Sequence, residues 1–181
     1  IRINKVNSLF SDKVENEKAA FLSLLKDLPF TESEKVKIRK TLEYACSINY
    51  DSGPLSKFYV NHPIRVAWLS LQWQKGVKIL HKNMIIAALI HNCLEKSFLT
   101  KEELAHKYGA WVANTIDVLT VDRENQYKGS WLEEYYKRVD SLDTSAQMLK
   151  VLDKYDNIFS LCLNPDDEIR KKYLEEIEKY I

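Results

Sequence analysis

His62, His91 and Asp153, with Asn92, Glu95, Lys150 and Asn157 close to them in sequence, are the residues best equipped for chemistry in this chain. They lie in three separated stretches: Tyr59-Val60-Asn61-His62-Pro63, Ala87-Ala88-Leu89-Ile90-His91-Asn92, and Lys150-Val151-Leu152-Asp153-Lys154-Tyr155-Asp156-Asn157. Imidazole and carboxylate together suit a divalent metal that keeps an open coordination position. Such an ion lowers the pKa of water and makes a nucleophile available near neutral pH. Glu95, one turn past His91, is placed to orient that water or take its proton. Lys150, one turn before Asp153, is placed to contact a phosphate or to hold Asp153. Singly, each residue has a plainer reading, as a hydrogen-bonded core histidine or an ion-paired acid. The combination points to a metal, because a buried helix that ends in polar residues must satisfy them, and one shared ion would satisfy three at once. Position 92, where a carboxylate would complete the set, carries an amide.

Helices must position these groups. The spacing predicts helices near 13–28, 32–48, 63–74, 82–95, 101–107, 110–120, 131–140, 144–162 and 166–180, with a loop at 49–60 and a polar loop at 121–129. Thr31-x-x-Glu34, Thr100-x-x-Glu103 and Ser130-x-x-Glu133 are capping-box patterns. Asn164-Pro165-Asp166-Asp167-Glu168 predicts a side-chain cap at Asn164, then proline at the first helical position. Ile38, Leu42 and Ala45 form one apolar stripe, and Ile169, Tyr173 and Ile177 another. The segment 82–95 is apolar nearly all round, so its neighbours should bury it, with His91 and Glu95 sharing a face at its end. Gly53, Gly76, Gly109 and Gly129 fall where helices should stop or loops turn. Trp68, Trp73, Trp111 and Trp131 read as core or groove packing; His81 and His106 receive no role. The expected fold is all-α, one helical bundle over residues 1–181.

Bulk properties exclude several functions. The 181 residues suffice for one domain with a real core. A net charge of +1 gives no electrostatic case for nucleic acid or an anionic membrane. The longest apolar run, Met84 to Ile90, is far short of the ~20 residues that cross a bilayer. Cys46, Cys93 and Cys162 are odd in number and scattered among apolar residues, which reads as buried reduced thiols in a cytoplasmic protein. The chain begins at Ile1, the expectation for a piece of a longer protein in which a further domain or a protein partner acts alongside it.

Four stretches carry a family resemblance. They are Tyr59-Val60-Asn61-His62-Pro63-Ile64-Arg65-Val66-Ala67, Ile86-Ala87-Ala88-Leu89-Ile90-His91-Asn92-Cys93-Leu94-Glu95-Lys96, Tyr108-Gly109-Ala110-Trp111-Val112-Ala113 with Leu119-Thr120, and Met148 to Asn157. In order, spacing and flanking residues the chain resembles the HD-domain superfamily, above all the alarmone (ppGpp) hydrolase domains of the RelA/SpoT type, over about residues 40–162. The resemblance implies an all-α fold, a metal (manganese in those hydrolases) and removal of the 3′-pyrophosphate from a guanosine nucleotide. It implies His62, His91, residue 92 and Asp153 as metal ligands, Glu95 beside the attacking water, and Lys150 and Asn157 near the nucleotide. The departures are specific. The His-Asp pair of the family is His91-Asn92 here, and its Glu-Asp pair is Glu95-Lys96. The family's Arg that stacks on the base has no counterpart between Arg39 and Arg65, and Lys57 is the nearest cation.

Asn92 binds a cation through a carbonyl without bringing charge, and Lys96 adds positive charge nearby; both weaken metal affinity. Lys96 turned inward would grip a phosphate; turned outward it is a solvated lysine. Two readings follow. One is a divergent metal-dependent phosphohydrolase for a nucleotide or another small phosphorylated compound. The other is a degenerate HD domain kept as a nucleotide-binding or regulatory module. Replacing Asn92→Asp together with Lys96→Asp should raise manganese affinity in a direct titration; a flat response would remove both residues from the site.

Overall fold

The computed structural model describes residues 2–48, 59–97, 99–126, 128–162 and 164–181, with side chains from Val14 onward. Every regular element among them is a helix, as the periodicity predicts. The order is α1 (Arg2–Asp27), α2 (Glu32–Ser47), α3 (Asn61–Val77), α4 (Lys82–Ile90), α5 (Cys93–Lys96), α6 (Lys101–Tyr108), α7 (Ala110–Leu119), α8 (Gly129–Asp140), α9 (Thr144–Leu161) and α10 (Asp167–Tyr180). No described helix is long and apolar enough to cross a membrane.

α4 is the axis of the molecule. Met84 to Ile90 are all fully buried, because α2, α3, α7 and α9 pack around it. Each of its Met, Ile and Leu side chains contributes about 1.5–3 kcal/mol through burial. Ile38, Leu42 and Ala45 of α2 reach this core, as do Ile64, Ala67 and Leu71 of α3 and Val112 and Ile116 of α7. α1 lies across α3, and Phe21 and Leu25 close that side of the core.

Local chemistry sets most helix ends. Thr31 and Thr100 form the predicted capping boxes, the first with Glu34 N–H donating to Thr31 Oγ1 at 3.3 Å and Thr31 N–H donating back to Glu34 Oε2 at 3.0 Å. Gly109 joins α6 to α7 with φ 94°, a conformation glycine adopts without a Cβ penalty. Four expectations need correction. Ser130 caps nothing: α8 begins two residues earlier, at Gly129, with Lys128 as its uncapped N-cap. α10 is capped by Asp166, whose Oδ1 accepts from Glu168 N and Ile169 N, while Asn164 accepts from Asp166 N one step before. α3 passes through Gly76 and stops at Lys78, held left-handed at φ 57°. Of the thiols, Cys93 is buried, Cys46 half-buried and Cys162 exposed. Gly53 lies outside the described residues.

The break between α4 and α5 matters most for function. A single helix over 82–95 is expected, yet the chain turns at His91-Asn92, with Asn92 at φ −94° and ψ 5°. The His91 Nδ1–H donates to Ala88 O at 2.8 Å and satisfies a carbonyl that the ending helix leaves open. The turn frees His91 and Glu95 from a common helical face.

α9, which carries Asp153, starts at Asp143. Its carboxylate accepts from Ser145 N and Ala146 N, and from Trp111 Nε1 at 2.5 Å. Burial opposes the charge, but the Trp111 and backbone N–H groups outweigh it and hold the carboxyl below its ordinary range. A depressed folded pKa stabilises the protein above the unfolded value of about 3.9, and the contribution fades as pH falls through the folded pKa. Asp143→Ala should therefore cost about 0.5–2 kcal/mol in urea unfolding at neutral pH. The gap to wild type should be constant above about pH 5 and shrink in stronger acid; a gap that widens in acid would refute this.

Candidate metal centre

The three chemistry-bearing stretches converge at one end of α4. His62 enters from the first turn of α3, His91 from the α4–α5 turn and Asp153 from the middle of α9. His62 Nε2 lies 3.1 Å from His91 Nε2 and 3.1 Å from Asp153 Oδ1, and His91 Nε2 lies 3.6 Å from that same oxygen. The two rings cross at 81°. His62 is 8% exposed and His91 4%.

The far side of each ring decides what the near side presents. His62 Nδ1 is 2.7 Å from Asp156 Oδ2, and a carboxylate only accepts, so Nδ1 carries the proton. His91 Nδ1 faces Ala88 O, which also only accepts. With Nδ1 so engaged, each ring turns its Nε2 to one point, where a carboxylate oxygen arrives as well. Three acceptors meeting in a buried space repel unless a cation or a proton lies between them. One ion at about 2.1 Å from each ligand would space its ligand atoms about 3.0 Å apart at right angles and about 3.4 Å apart in a tetrahedron. The observed separations suit that.

The surrounding groups tune this point. Lys150, 3% exposed, donates from Nζ to Asp153 Oδ2 at 3.0 Å. Asn157 Nδ2 donates to Asp153 Oδ1 at 2.8 Å. Burial opposes the Asp153 charge, yet Lys150 and the two histidines hold its carboxyl well below the usual range. Burial likewise resists the His62 imidazolium, but hydrogen bonds to Asp153 and Asp156 win and raise its pKa. Asn92 is 7% exposed, and its Nδ2 donates to the Tyr59 hydroxyl at 2.9 Å.

A cavity of about 250 Å³ opens from the centre, lined by all of these side chains except Asp156. Glu95 lines it too, but both of its oxygens are engaged. Val121 N–H donates to Oε1 at 2.9 Å, and Arg123 Nε to Oε2 at 2.9 Å. The polar loop after α7 thus closes onto Glu95. Lys96 does not line the cavity; its ammonium stands 5.9 Å from the centre of the Tyr59 ring. Lys57 lies outside the described residues. On the side opposite Glu95, Lys154 pairs with Glu176 of α10 at 2.6 Å, and Tyr136 OH donates to the same oxygen at 2.7 Å. Burial, and then the neighbouring charge of Lys150, lower the Lys154 pKa to about 8. The stripe predicted on α10 faces inward only in part: Ile169 and Tyr173 form cavity wall, and no residue of that helix is fully buried.

Sequence reasoning missed Asp156, Arg65, Arg123 and Glu176. A signal existed for the first two. His62-x-x-Arg65 and Asp153-x-x-Asp156 place a charge one turn past each metal-type residue, on helices that pack together. Arg123 and Glu176 had none, being brought in by a loop and by the packing of α10.

An all-helical bundle that gathers two imidazoles and an aspartate from three helical segments has the architecture that the HD-type resemblance implies. No family model matches the chain. Over 128 residues it is 30% identical to a guanosine-3′,5′-bis(diphosphate) 3′-pyrophosphohydrolase of Aquifex aeolicus, which covers 67% of this chain and 17% of that protein. It is 28% identical over 132 residues to the protein of that name from Spiroplasma citri, covering 67% of this chain and 16% of that one. The chain thus spans about one-sixth of the length of these curated relatives. A solved structure of a metazoan ortholog of SpoT, described as hydrolysing ppGpp, matches the fold with a TM-score of 0.65 at 22% identity, over 84% of this chain and 86% of that one. The SpoT-like resemblance read from the motifs is borne out.

The Glu95 contacts make a local prediction. Arg123→Ala leaves a nearly buried carboxylate with one backbone donor, which should cost about 1 kcal/mol in urea unfolding and speed amide exchange at Val121. Unchanged stability and exchange would mean that the Arg123–Glu95 pair contributes nothing.

Proposed function

We propose that this chain is a divergent HD-type metal-dependent phosphohydrolase whose substrate is a guanosine nucleotide bearing a 3′-diphosphate, ppGpp or a close analogue. One observation carries the reading: the Nε2 atoms of His62 and His91 and the Asp153 carboxylate meet at one buried point, with each ring's Nδ1 held by an acceptor on its far side. The relatives' names supply the substrate class.

In this reading His62, His91 and Asp153 hold a divalent cation, manganese by resemblance, and Asn92 offers a weak fourth ligand through its carbonyl oxygen. When bound, the ion supplies Lewis acidity towards a phosphate oxygen and a lowered pKa for water. Lys150 and Asn157 keep Asp153 turned towards the ion. Glu95 is the carboxylate that takes a proton from the attacking water, and the Val121 N–H and Arg123 fix its position at the cavity wall. Arg123, Lys150 and Lys154 place positive charge along the cavity for a diphosphate. Tyr59, Trp131 and Tyr173 give it an aromatic wall fit for a purine or ribose. Hydrolysis of a 3′-diphosphate adds water to phosphorus and leaves guanosine diphosphate and pyrophosphate.

A second reading, a regulatory module that binds the nucleotide without cutting it, has one observation in its favour. Both Glu95 oxygens are already occupied, so a bound ligand must draw Arg123 away before Glu95 can act as a base.

Purified protein should carry, or take up on titration, about one manganese ion per chain, and His91→Ala should abolish that binding. With manganese, ppGpp should yield guanosine diphosphate and pyrophosphate in equal amounts. Metal and ppGpp binding without product would select the regulatory module; no metal uptake at millimolar manganese would refute the hydrolase.

A further inference from the structure

Behind His62, on the side away from the cavity, three charged residues from three helices form a chain. Asp156 of α9, 3% exposed, accepts His62 Nδ1–H at 2.7 Å. The Arg65 guanidinium of α3 grips both oxygens of Asp156, with Nε to Oδ1 at 2.7 Å and Nη2 to Oδ2 at 2.8 Å. Arg65 Nη1 reaches Glu17 of α1 at 3.4 Å. His62 and Arg65 are one turn apart on α3, and Asp153 and Asp156 one turn apart on α9. The pairing of the two helices therefore sets all four side chains at once.

This arrangement bears on the charge missing at position 92. A hard cation held by two neutral imidazoles, one carboxylate and an amide carbonyl keeps an uncompensated charge. A carboxylate hydrogen-bonded to the far nitrogen of a ligating imidazole makes that ring a stronger donor and fixes its orientation; losing such a partner costs about 10–100-fold in metal affinity. Arg65 keeps Asp156 from rotating off the ring, because its planar fork matches the carboxylate edge. Glu17 offsets the Arg65 charge, so the three residues together still carry one negative charge towards His62.

We infer that Asp156, locked by Arg65, is a positioning residue that supplies through His62 the negative charge Asn92 does not bring to the cation, so that metal affinity in this chain rests on a carboxylate outside the ligand set. The inference rests on the metal reading above and deepens it.

Two measurements test it. The first needs no metal: ring 15N spectra of the metal-free protein report which nitrogen of His62 carries the proton. At a pH alkaline enough for the ring to be neutral, wild type should show Nδ1–H with a bare Nε2, and Asp156→Ala should show a mixture of tautomers. A merely structural Asp156 would leave the tautomer alone. The second is a manganese titration of folded protein. Asp156→Asn keeps the size and loses the charge, and should weaken binding by about 10–100-fold. Adding Asn92→Asp to that variant should restore most of the loss, because the charge returns from the ligand side. Binding within twofold of wild type in Asp156→Asn, no recovery in the double variant, or an unchanged tautomer in Asp156→Ala would each overturn the inference while leaving the metal reading intact. A wild-type chain that takes up no manganese would bring both down.

Discussion

Asp153 Oδ1 meets the Nε2 atoms of His62 and His91 at a nearly buried point, and most of the structure around that point answers to this meeting. Three acceptors brought together out of water tolerate one another only around positive charge. Each imidazole must then be held by its other nitrogen. His91 achieves this by ending α4 and turning back onto the Ala88 carbonyl, and His62 through Asp156. The fully buried α4 gives His91 a rigid base, since a helix enclosed by α2, α3, α7 and α9 has no room to shift.

Charge around the cavity is balanced in pairs. Asp153 is matched by Lys150, Asp156 by Arg65, Glu95 by Arg123 and Glu176 by Lys154. Buried pairs of this kind add little net stability, because desolvation offsets their attraction. Their value is in orientation: each fixes a carboxylate that otherwise has several rotamers. A divalent cation and an anionic phosphate entering together add charge of both signs and leave the balance nearly intact. On the metal reading proposed above, Asp153 brings negative charge to the centre directly, and Asp156, with Glu17 beside Arg65 keeping that group net negative, brings it through the His62 ring.

Much of the fold was legible because it rests on local rules. The helices, the capping boxes at Thr31 and Thr100 and the burial of Met84 to Ile90 all follow from spacing and side-chain type over a few residues. Errors came where a second segment intervened. Ser130 fits the capping pattern, but α8 starts at Gly129. The segment 82–95 has helical periodicity throughout, yet at its tenth residue, His91, the ring bonds the Ala88 carbonyl and the helix breaks. Lys96 looked adjacent to the metal, but its ammonium stands by the Tyr59 ring and does not line the cavity.

By itself, the sequence determined the all-α class, the three segments that hold His62, His91 and Asp153, and the SpoT-like kinship, because residue type and helical period are written along the chain. Only the tertiary structure decided that Asp156 and Arg65 stand behind His62, that Arg123 occupies Glu95, and that α10 walls the cavity. Those contacts join residues 22 or more positions apart, such as Lys154 and Glu176 or His62 and Asp156 at 94. No local periodicity encodes which distant charge a buried ring or carboxylate will find; the packing of helices chooses it.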